Sequence, residues 1–439
     1  MRNSTINLFE YDCISCDEAA KTHAWVVHIP KACFEYLKRL CLGEGEERLL
    51  LSLRRCDGME VLQVQNYAGV IVTPDGTQIE VLPKVGRAAD DRDQGIVCAR
   101  NSLLTMLRAL RGYQHIQTST ASIKSEKMPL LEVFISQFLG SVNTLVKRGL
   151  RSDYFSRQDN LTYAKGKLLV AKQIRHNLVN KHKFFCEYDE FVKDRPANRL
   201  VHAALAKVSK YTRSAANQKL LAELEFVFAD IPKSRDSKRD FNKLKLDRGM
   251  EHYKTPLKWC ELILSGLSPQ SMSGKHSAVS LLFPMERLFE DYVAHVLTKQ
   301  LAQTHRHLQV TAQAKGKHLA VYQGKGHFAL RPDLLIKHGE QNLCVLDTKW
   351  KMLDSEVYNQ NIAQGDVYQM FAYAKKYLNS GVGKDVILIY PQQANFMTPL
   401  ESCFDLDDGH RLWVVPFVIA SNNDSRLLLP DECKPWLHE

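Results

Sequence analysis

Two aspartates and a lysine in the last third of the chain have the spacing of a hydrolytic metal site. Asp333 ends one short strand-like run after Pro332, and Asp347 closes the next, with Lys349 two residues further on. The letters KHGEQN between the runs predict a turn, so the two runs can form a hairpin that brings the carboxylates together. Residues two apart in a strand share a face, so Asp347 and Lys349 are expected to point the same way, with Thr348 on the other side.

These side chains suit the hydrolysis of a phosphodiester. Two carboxylates can hold a Mg²⁺ ion that keeps most of its waters. Such an ion acidifies a bound water and neutralises charge on the phosphate, while a nearby lysine stabilises developing negative charge. The carbonyl of Thr348 is a further candidate ligand. An Asp-x-Lys triplet alone is common by chance, so the hypothesis depends on the elements around it.

Two helices offer the remaining parts of such a site. Glu286 and Glu290 are four residues apart in LLFPMERLFEDYV, so either can approach the metal; Glu290 is preferred because it follows an apolar pair. Gln369 and Tyr373 have the same spacing on a later helix and are expected to hydrogen-bond the site or the DNA backbone. The order helix, strands, helix, strand predicts a mixed α/β core.

The site residues resemble those of the PD-(D/E)xK nuclease superfamily, and the Gln369/Tyr373 helix is similar to that of its RecB-type branch. A closer resemblance covers most of the chain and is to the McrC family, the nuclease subunits of modification-dependent (5-methylcytosine) McrBC restriction systems. Its segments are, in order, NYAGVIVTPDGTQIEVLPKV, KGKLLVAKQIRHN, CEYDEFVKDRPANRLVHAAL, LFEDYV, RPDLLI, LDTKWK, DVYQMFAYAKKY and ILIYP.

The McrC resemblance implies roles for residues and partners. The family's catalytic acids and lysine fall on Asp333, Asp347 and Lys349, and Glu290 is the preferred third metal ligand, with Glu286 as the alternative. The implied cofactor is Mg²⁺, and the implied substrate is methylated double-stranded DNA. The implied partner is an McrB-like AAA+ GTPase hexamer that the N-terminal part of the chain stimulates, in complexes that can dimerise through the nuclease domain.

Composition changes along the chain predict three regions. We expect a strand-rich N-terminal module over 1–120 that binds the motor, a largely helical basic region over 121–270, and a PD-(D/E)xK endonuclease domain over 271–439. The Lys- and Arg-rich runs of the middle region are either solvated faces or a phosphate groove. Four residues stand near that groove: Tyr154, Phe155, Tyr163 and Arg175.

The bulk composition narrows the class of protein. The 439 residues carry a formal net charge of +10, which favours a polyanionic partner. No apolar run approaches the roughly 20 residues of a membrane span, the N-terminus lacks a secretory layout, and the 11 cysteines have no disulfide spacing. A cytoplasmic location is therefore expected.

Two other functions remain open at this level. The Gly-Lys pairs lack the rest of a Walker A loop, so nucleotide hydrolysis is expected in the partner. One alternative is a free-standing RecB-like repair nuclease, and another is a motor activator whose nuclease domain only binds DNA. The modified base and the partner's nucleotide, GTP or ATP, are not readable from these residues.

Overall fold

The computed structural model gives the chain as two compact units, Met1–Leu130 with Ser268–Glu439, and Leu131–Leu267. The regions predicted as 1–120 and 271–439 thus share one unit, and the predicted three-domain division itself stays a prediction. The residues that the structure describes are 5–23, 25–43, 50–88, 91–109, 128–265, 280–354, 357–378, 383–420 and 424–433.

The N-terminal part of the first unit is rich in strands, as predicted. Its described elements are β1 (Thr5–Phe9), β2 (Cys13–Ser15), β3 (Val26–His28), α1 (Lys31–Leu42), β4 (Leu51–Cys56), β5 (Met59–Val64), β6 (Tyr67–Val72), β7 (Gln78–Leu82) and α2 (Arg92–Ala109). A turn at Pro74-Asp75-Gly76 joins β6 to β7, which pair antiparallel. Thr77 Oγ1 donates to the Asp75 carboxylate at 2.8 Å and so stabilises the turn.

The C-terminal part of the same unit is the mixed α/β core. Its described elements are β11 (Ser280–Pro284), α9 (Met285–Thr304), β12 (Leu308–Ala312), β13 (Lys317–Tyr322), β14 (Lys325–Leu330), β15 (Leu334–His338), β16 (Gln341–Thr348), α10 (Gln364–Tyr377), β17 (Asp385–Pro391), β18 (Phe404–Asp405), β19 (Arg411–Val418) and β20 (Arg426–Leu427). The main sheet has the order β12-β15-β16-β17-β19-β18, with β20 beside β19.

The middle of this sheet is buried on both faces. β16, β17 and β19 run parallel, and every residue of β17 is buried. Such continuous apolar runs are typical of parallel strands covered on both sides. The helix α10 packs on one face through Met370, Tyr373 and Ala374. The β15–β16 hairpin, flanked by β12 and β17, is therefore held inside this sheet.

One strand joins the N-terminal and C-terminal parts of the first unit. β11 pairs antiparallel with β6 and thereby completes the sheet β1-β7-β6-β11. A Cβ at Gly69 would lie 1.7 Å from the carbonyl oxygen of Leu281, and its φ is 143°, so only glycine permits this approach. Because β11 leads directly into α9, the N-terminal sheet fixes the start of that helix.

The second unit, which contains the basic middle region, is helical but includes a small sheet. Its described elements are α3 (Leu130–Arg148, of which Leu130 belongs to the first unit), β8 (Asp153–Leu161), β9 (Lys167–Leu168), α4 (Val170–Asn177), β10 (Phe184–Val192), α5 (Pro196–Val208), α6 (Ala215–Val227), α7 (Ser237–Asn242) and α8 (Lys254–Ser265). The helical prediction did not include the sheet β8-β10-β9, whose strands lie on either side of α4. Residues 153–160 of β8 are all exposed, so no alternation of buried and exposed positions marks the strand.

The aromatic and basic side chains that the sequence placed near a groove are exposed in the second unit. Tyr154 is 71% exposed, Phe155 62% and Tyr163 59%, and Arg175 is exposed as well. Exposure fits both of the readings left open, a phosphate groove and a solvated face. The DNA groove therefore stays a prediction.

Candidate active site

The predicted hairpin is present and brings the two aspartates together. β15 and β16 pair antiparallel with Leu334 opposite Leu346. Continuing this register by one residue puts Asp333 opposite Asp347. Asp333 lies just before β15 rather than at the end of a strand, because Pro332 has no N–H to donate and interrupts the run between β14 and β15.

Thr348 fixes the Asp333 carboxylate. Its backbone N–H donates to Asp333 Oδ2 at 2.7 Å, and its hydroxyl donates to the same oxygen at 2.6 Å. The Thr348 side chain therefore reaches Asp333, whereas the sequence suggested a role only for its carbonyl. With Oδ2 held in this way, Asp333 Oδ1 has no hydrogen-bond partner in the described part of the chain.

Lys349 and Asp347 share a face, as the spacing predicted, and form an ion pair through Lys349 Nζ and Asp347 Oδ2. Burial, followed by the negative charge of Asp333, raises the pKa of Asp347 to about 6, although Lys349 opposes this shift. Burial alone would lower the pKa of Lys349, but the charge and hydrogen bond of Asp347 outweigh it and raise that pKa. Lys349 is therefore a cation.

A chain of hydrogen bonds from α10 holds Lys349 from the other side. Lys349 Nζ donates to Gln369 Oε1 at 3.1 Å, and Gln369 Nε2 donates to Tyr373 Oη at 2.7 Å. The Tyr373 hydroxyl in turn donates to the carbonyl oxygen of Arg331 at 3.0 Å. Gln369 and Tyr373 were expected to hydrogen-bond either the site or the DNA backbone. In the structure they hydrogen-bond Lys349, each other and the main chain of Arg331. The neighbouring Lys351 instead pairs with Asp366 on α10, at 2.7 Å.

The structure distinguishes the two helix glutamates. Burial, followed by the charge of Asp333, raises the pKa of Glu290 to about 7, and Asp347 adds to the shift. Glu286, one turn earlier on α9, instead acts electrostatically on Tyr11 and Lys84. Glu290 is thus the glutamate that faces the two aspartates, and its role as a metal ligand stays a prediction.

The donor set fits a hard divalent cation. Asp333 Oδ1 and Asp347 Oδ1 are carboxylate oxygens without hydrogen-bond partners among the described residues. The raised pKa values of Asp347 and Glu290 arise partly from mutual repulsion of the acids, which a dication would relieve.

The carboxylates of Asp333, Asp347 and Glu290 do not form a cluster of three close ligand atoms. Among the described residues, three potential ligand atoms lie within 4.8 Å of one another at His23, Cys56 and Asp57. Mg²⁺ needs only one or two carboxylates, with water and phosphate completing its shell. Two aspartates therefore suffice, with Glu290 acting at a greater distance.

Two features of the site, the contacts of Gln313 and the hydroxyl of Thr348, were not predicted from the sequence. Gln313 has a backbone N–H that donates to the carbonyl oxygen of Asp333 at 2.8 Å, and its side chain donates to the Glu290 carboxylate. Thr348 acts through its hydroxyl, as described above. A lone glutamine after a strand carries no recognisable signal, whereas the hydroxyl beside Asp347 was visible within the motif itself.

The fold and the site define a multi-domain α/β protein with a strand-rich N-terminal region, as predicted. A family model described as "McrBC 5-methylcytosine restriction system component" matches residues 62–391. This match covers more than half of the 439 residues, so the chain belongs to that family. The resemblance stated from the sequence is confirmed.

A solved structure shares the fold of this chain. A chain of the Thermococcus gammatolerans assembly described as McrB AAA+ hexamers with bound McrC has 19% identity and a TM-score of 0.66, with 94% of each chain covered. A structure of the McrBC complex from the same organism has 22% identity and a TM-score of 0.48, covering 72% of this chain and 90% of that one. No curated protein matches the chain. Among the described residues, none of the helices has the length and apolar character needed to cross a bilayer.

Proposed function

We propose that this chain is the endonuclease subunit of a modification-dependent restriction complex and cleaves DNA by Mg²⁺-dependent phosphodiester hydrolysis. The observation that carries the proposal is the meeting of Asp333, Asp347 and Lys349 at one end of the β15–β16 hairpin. Catalytic residues held by a rigid sheet are positioned more accurately than residues on free loops. Membership of the McrBC family supports the same activity.

In the proposed mechanism each side chain has a defined role. Asp333 and Asp347 would hold a divalent cation, with Glu290 on α9 facing the two aspartates. When bound, the cation would supply an acidified water and neutralise charge on the scissile phosphate. Lys349, kept cationic by Asp347, orients the attacking water and stabilises negative charge that develops on the phosphate.

The surrounding residues keep Lys349 and Asp333 in place. Gln369 accepts from Lys349 and is itself fixed by Tyr373, so the ammonium is held between Asp347 and Gln369. Thr348 holds one oxygen of Asp333 and leaves the other for the cation. Supporting hydrogen bonds of this kind typically contribute 10- to 100-fold in metal affinity or activity.

The proposed partner is an McrB-like AAA+ hexamer whose NTPase this chain stimulates. Support comes from the family match and from the fold shared with a chain of the McrB–McrC assembly. The net charge of +10 favours a DNA substrate by attracting its phosphate backbone. Methylated duplex DNA, a cytoplasmic location and dimerisation of complexes through the nuclease domain belong to the same proposal.

Cleavage by the reconstituted complex tests the nuclease proposal. The chain, its motor, nucleotide, Mg²⁺ and methylated DNA should together cut the DNA. Asp347→Ala and Lys349→Ala should each abolish cutting, whereas Glu340→Ala, an exposed acid in the turn of the same hairpin, should leave it unchanged. Wild-type cleavage by Asp347→Ala would show that the site has been assigned wrongly.

The NTPase of the motor separates the subunit proposal from its alternatives. Asp347→Ala should still stimulate nucleotide hydrolysis by the motor, because the substitution removes only a ligand of the cation. A chain that cut DNA ends alone and never bound a ring ATPase or GTPase would instead be a free-standing repair nuclease. Stimulation by a wild-type chain that never cuts DNA would indicate a motor activator.

A further inference from the structure

A buried polar network links the N-terminal sheet to the residue that follows Lys349. The Glu10 carboxylate, at 0% exposure, accepts from Trp350 Nε1 at 2.9 and 3.1 Å. It also accepts from the backbone N–H of Lys84 at 2.9 Å. Lys84 Nζ, in turn, donates to the carbonyl oxygen of Trp350 at 2.7 Å. Trp350 is thus bound at both its ring and its main chain.

The charges in this network are costly to bury and take no direct part in the proposed hydrolysis. Burial raises the pKa of Glu10 and lowers that of Lys84, and each charge partly offsets the shift of the other. Charged groups are rarely buried unless they are hydrogen-bonded and close to an opposite charge, as these are. Apolar residues in their place would often be as stable, so stability alone does not account for the two buried charges.

Trp350 contacts both elements that carry the active site. It directly follows Lys349, whose backbone N–H donates to the carbonyl oxygen of Ile389 at 2.8 Å. Its ring lies 5.2 Å from that of Phe289 on α9. Phe289 immediately precedes Glu290. Trp350 therefore adjoins the lysine of the site in sequence and packs against the residue next to the helix glutamate.

We propose that Glu10 and Lys84 are positioning residues for the active site. By binding the ring and the main chain of Trp350, they fix the direction from which Lys349 meets Asp347 and the position of α9 beside the hairpin. The proposal rests on the proposed nuclease function and deepens it. Glu10, directly after β1, and Lys84, shortly after β7, thereby become part of the support of Lys349, which lies more than 240 positions further along the chain.

A pair of double variants tests the positioning role in the full chain with its motor. Glu10→Gln with Lys84→Met removes both charges together, so neither is left buried alone. Lys38→Met with Glu60→Gln is the matched control, since that lysine–glutamate pair, at 2.6 Å, lies outside the network. We expect kcat for DNA cleavage to fall on the order of 10- to 100-fold in the first variant, with KM for DNA unchanged, and no change in the control.

Manganese binding by the isolated chain adds a readout that does not depend on activity. The two aspartates that would hold the cation are fixed by the hairpin and Thr348 rather than by the network, so calorimetry should give a wild-type Mn²⁺ affinity for the first variant. Trp350→Phe removes the indole N–H donor and leaves a smaller aromatic ring to pack beside Phe289. Trp350→Phe should also lower kcat while leaving the Mn²⁺ affinity unchanged. If the double variant does not fold, these two measurements on Trp350→Phe test the positioning role.

Two results would overturn the positioning role. One is a wild-type kcat in both the double variant and Trp350→Phe. The other is a fall in kcat that matches an equal loss of folded protein and of Mn²⁺ binding, which would make the network purely structural. The reference variant Asp347→Ala separates the two proposals. If Asp347→Ala cuts DNA normally, the proposed nuclease function fails. If Asp347→Ala is inactive while the network variants are fully active, only the positioning role fails.

Discussion

At the scale of single residues, the Thr348 side chain sets the orientation of the Asp333 carboxylate. Thr348→Val removes the hydroxyl donor to Asp333 Oδ2 and keeps the backbone donor. We expect Mg²⁺ affinity and the cleavage rate to fall by roughly 10-fold, as for other residues that orient metal ligands. Thr348→Ser, which retains the hydroxyl, is the matched control. Equal rates for the valine and serine variants would contradict this role.

The raised pKa of Glu290 predicts how stability depends on pH. Its pKa rises from 4.5 to about 7 on folding, so between these values the folded chain binds more protons than the unfolded chain. The free energy of unfolding of the metal-free chain should therefore fall as pH increases through this window. Asp347, raised from 3.8 to about 6, adds to the effect at its lower end.

Denaturant unfolding with EDTA across pH 4 to 8 measures this dependence. Glu290→Gln should flatten the fall in the upper part of the window, because glutamine does not titrate. Saturating Mn²⁺ should reverse the trend, since the cation binds the deprotonated acids. A stability that increased with pH in EDTA would contradict the account.

At the scale of elements, the parallel strands depend on one buried carboxylate. Asp385 at the start of β17 accepts from Arg411 at 2.8 and 2.9 Å and from Trp413 Nε1 at 2.8 Å, both on β19. Asp385→Ala leaves both donors without this partner and should lower the free energy of unfolding by about 3 kcal/mol. Asp408→Ala, at an exposed position, is the control and should have little effect on denaturant unfolding. Equal effects of the two substitutions would contradict a structural role for Asp385.

The elements also show which features were predictable from the sequence. The β15–β16 hairpin was predictable because its strands, turn and acids lie within 20 residues. The two-residue period of a strand directly places Asp347 and Lys349 on the same face. Local patterns likewise predicted α10 with Gln369 and Tyr373. β8 was missed because polar and apolar side chains are exposed along nearly its whole length, so burial left no periodic signature.

Contacts between distant parts of the chain were not predictable. Trp350 meets Glu10 across 340 positions, and Gln313 meets Glu290 across 23. Neither pair has a spacing rule, because their proximity follows from how whole sheets pack. Spacing alone left both Glu286 and Glu290 open, because it does not say which turn of α9 faces the hairpin, and the role of Glu290 at the metal stays a prediction.

At the scale of the whole molecule, the N-terminal and C-terminal parts of the first unit are expected to depend on each other. β11 pairs with β6, and its Leu281, Leu282 and Phe283 are buried. Residues 271–439 expressed alone should therefore expose apolar surface and melt at a lower temperature than the full chain, or aggregate. Co-expression of residues 1–130 should restore a soluble pair. Cooperative melting of 271–439 at the temperature of the full chain, followed by circular dichroism, would instead support an independent C-terminal domain.

The account as a whole depends on Asp333 and Asp347 acting together as a divalent-cation site. Anomalous diffraction from a crystal of the full chain soaked in Mn²⁺ tests this most directly, because it locates the ion without reference to activity. We predict a peak in contact with Asp333 Oδ1 and Asp347 Oδ1 that disappears in Asp347→Ala. A peak only at His23, Cys56 and Asp57, or none beside the two aspartates, would contradict the proposed active site.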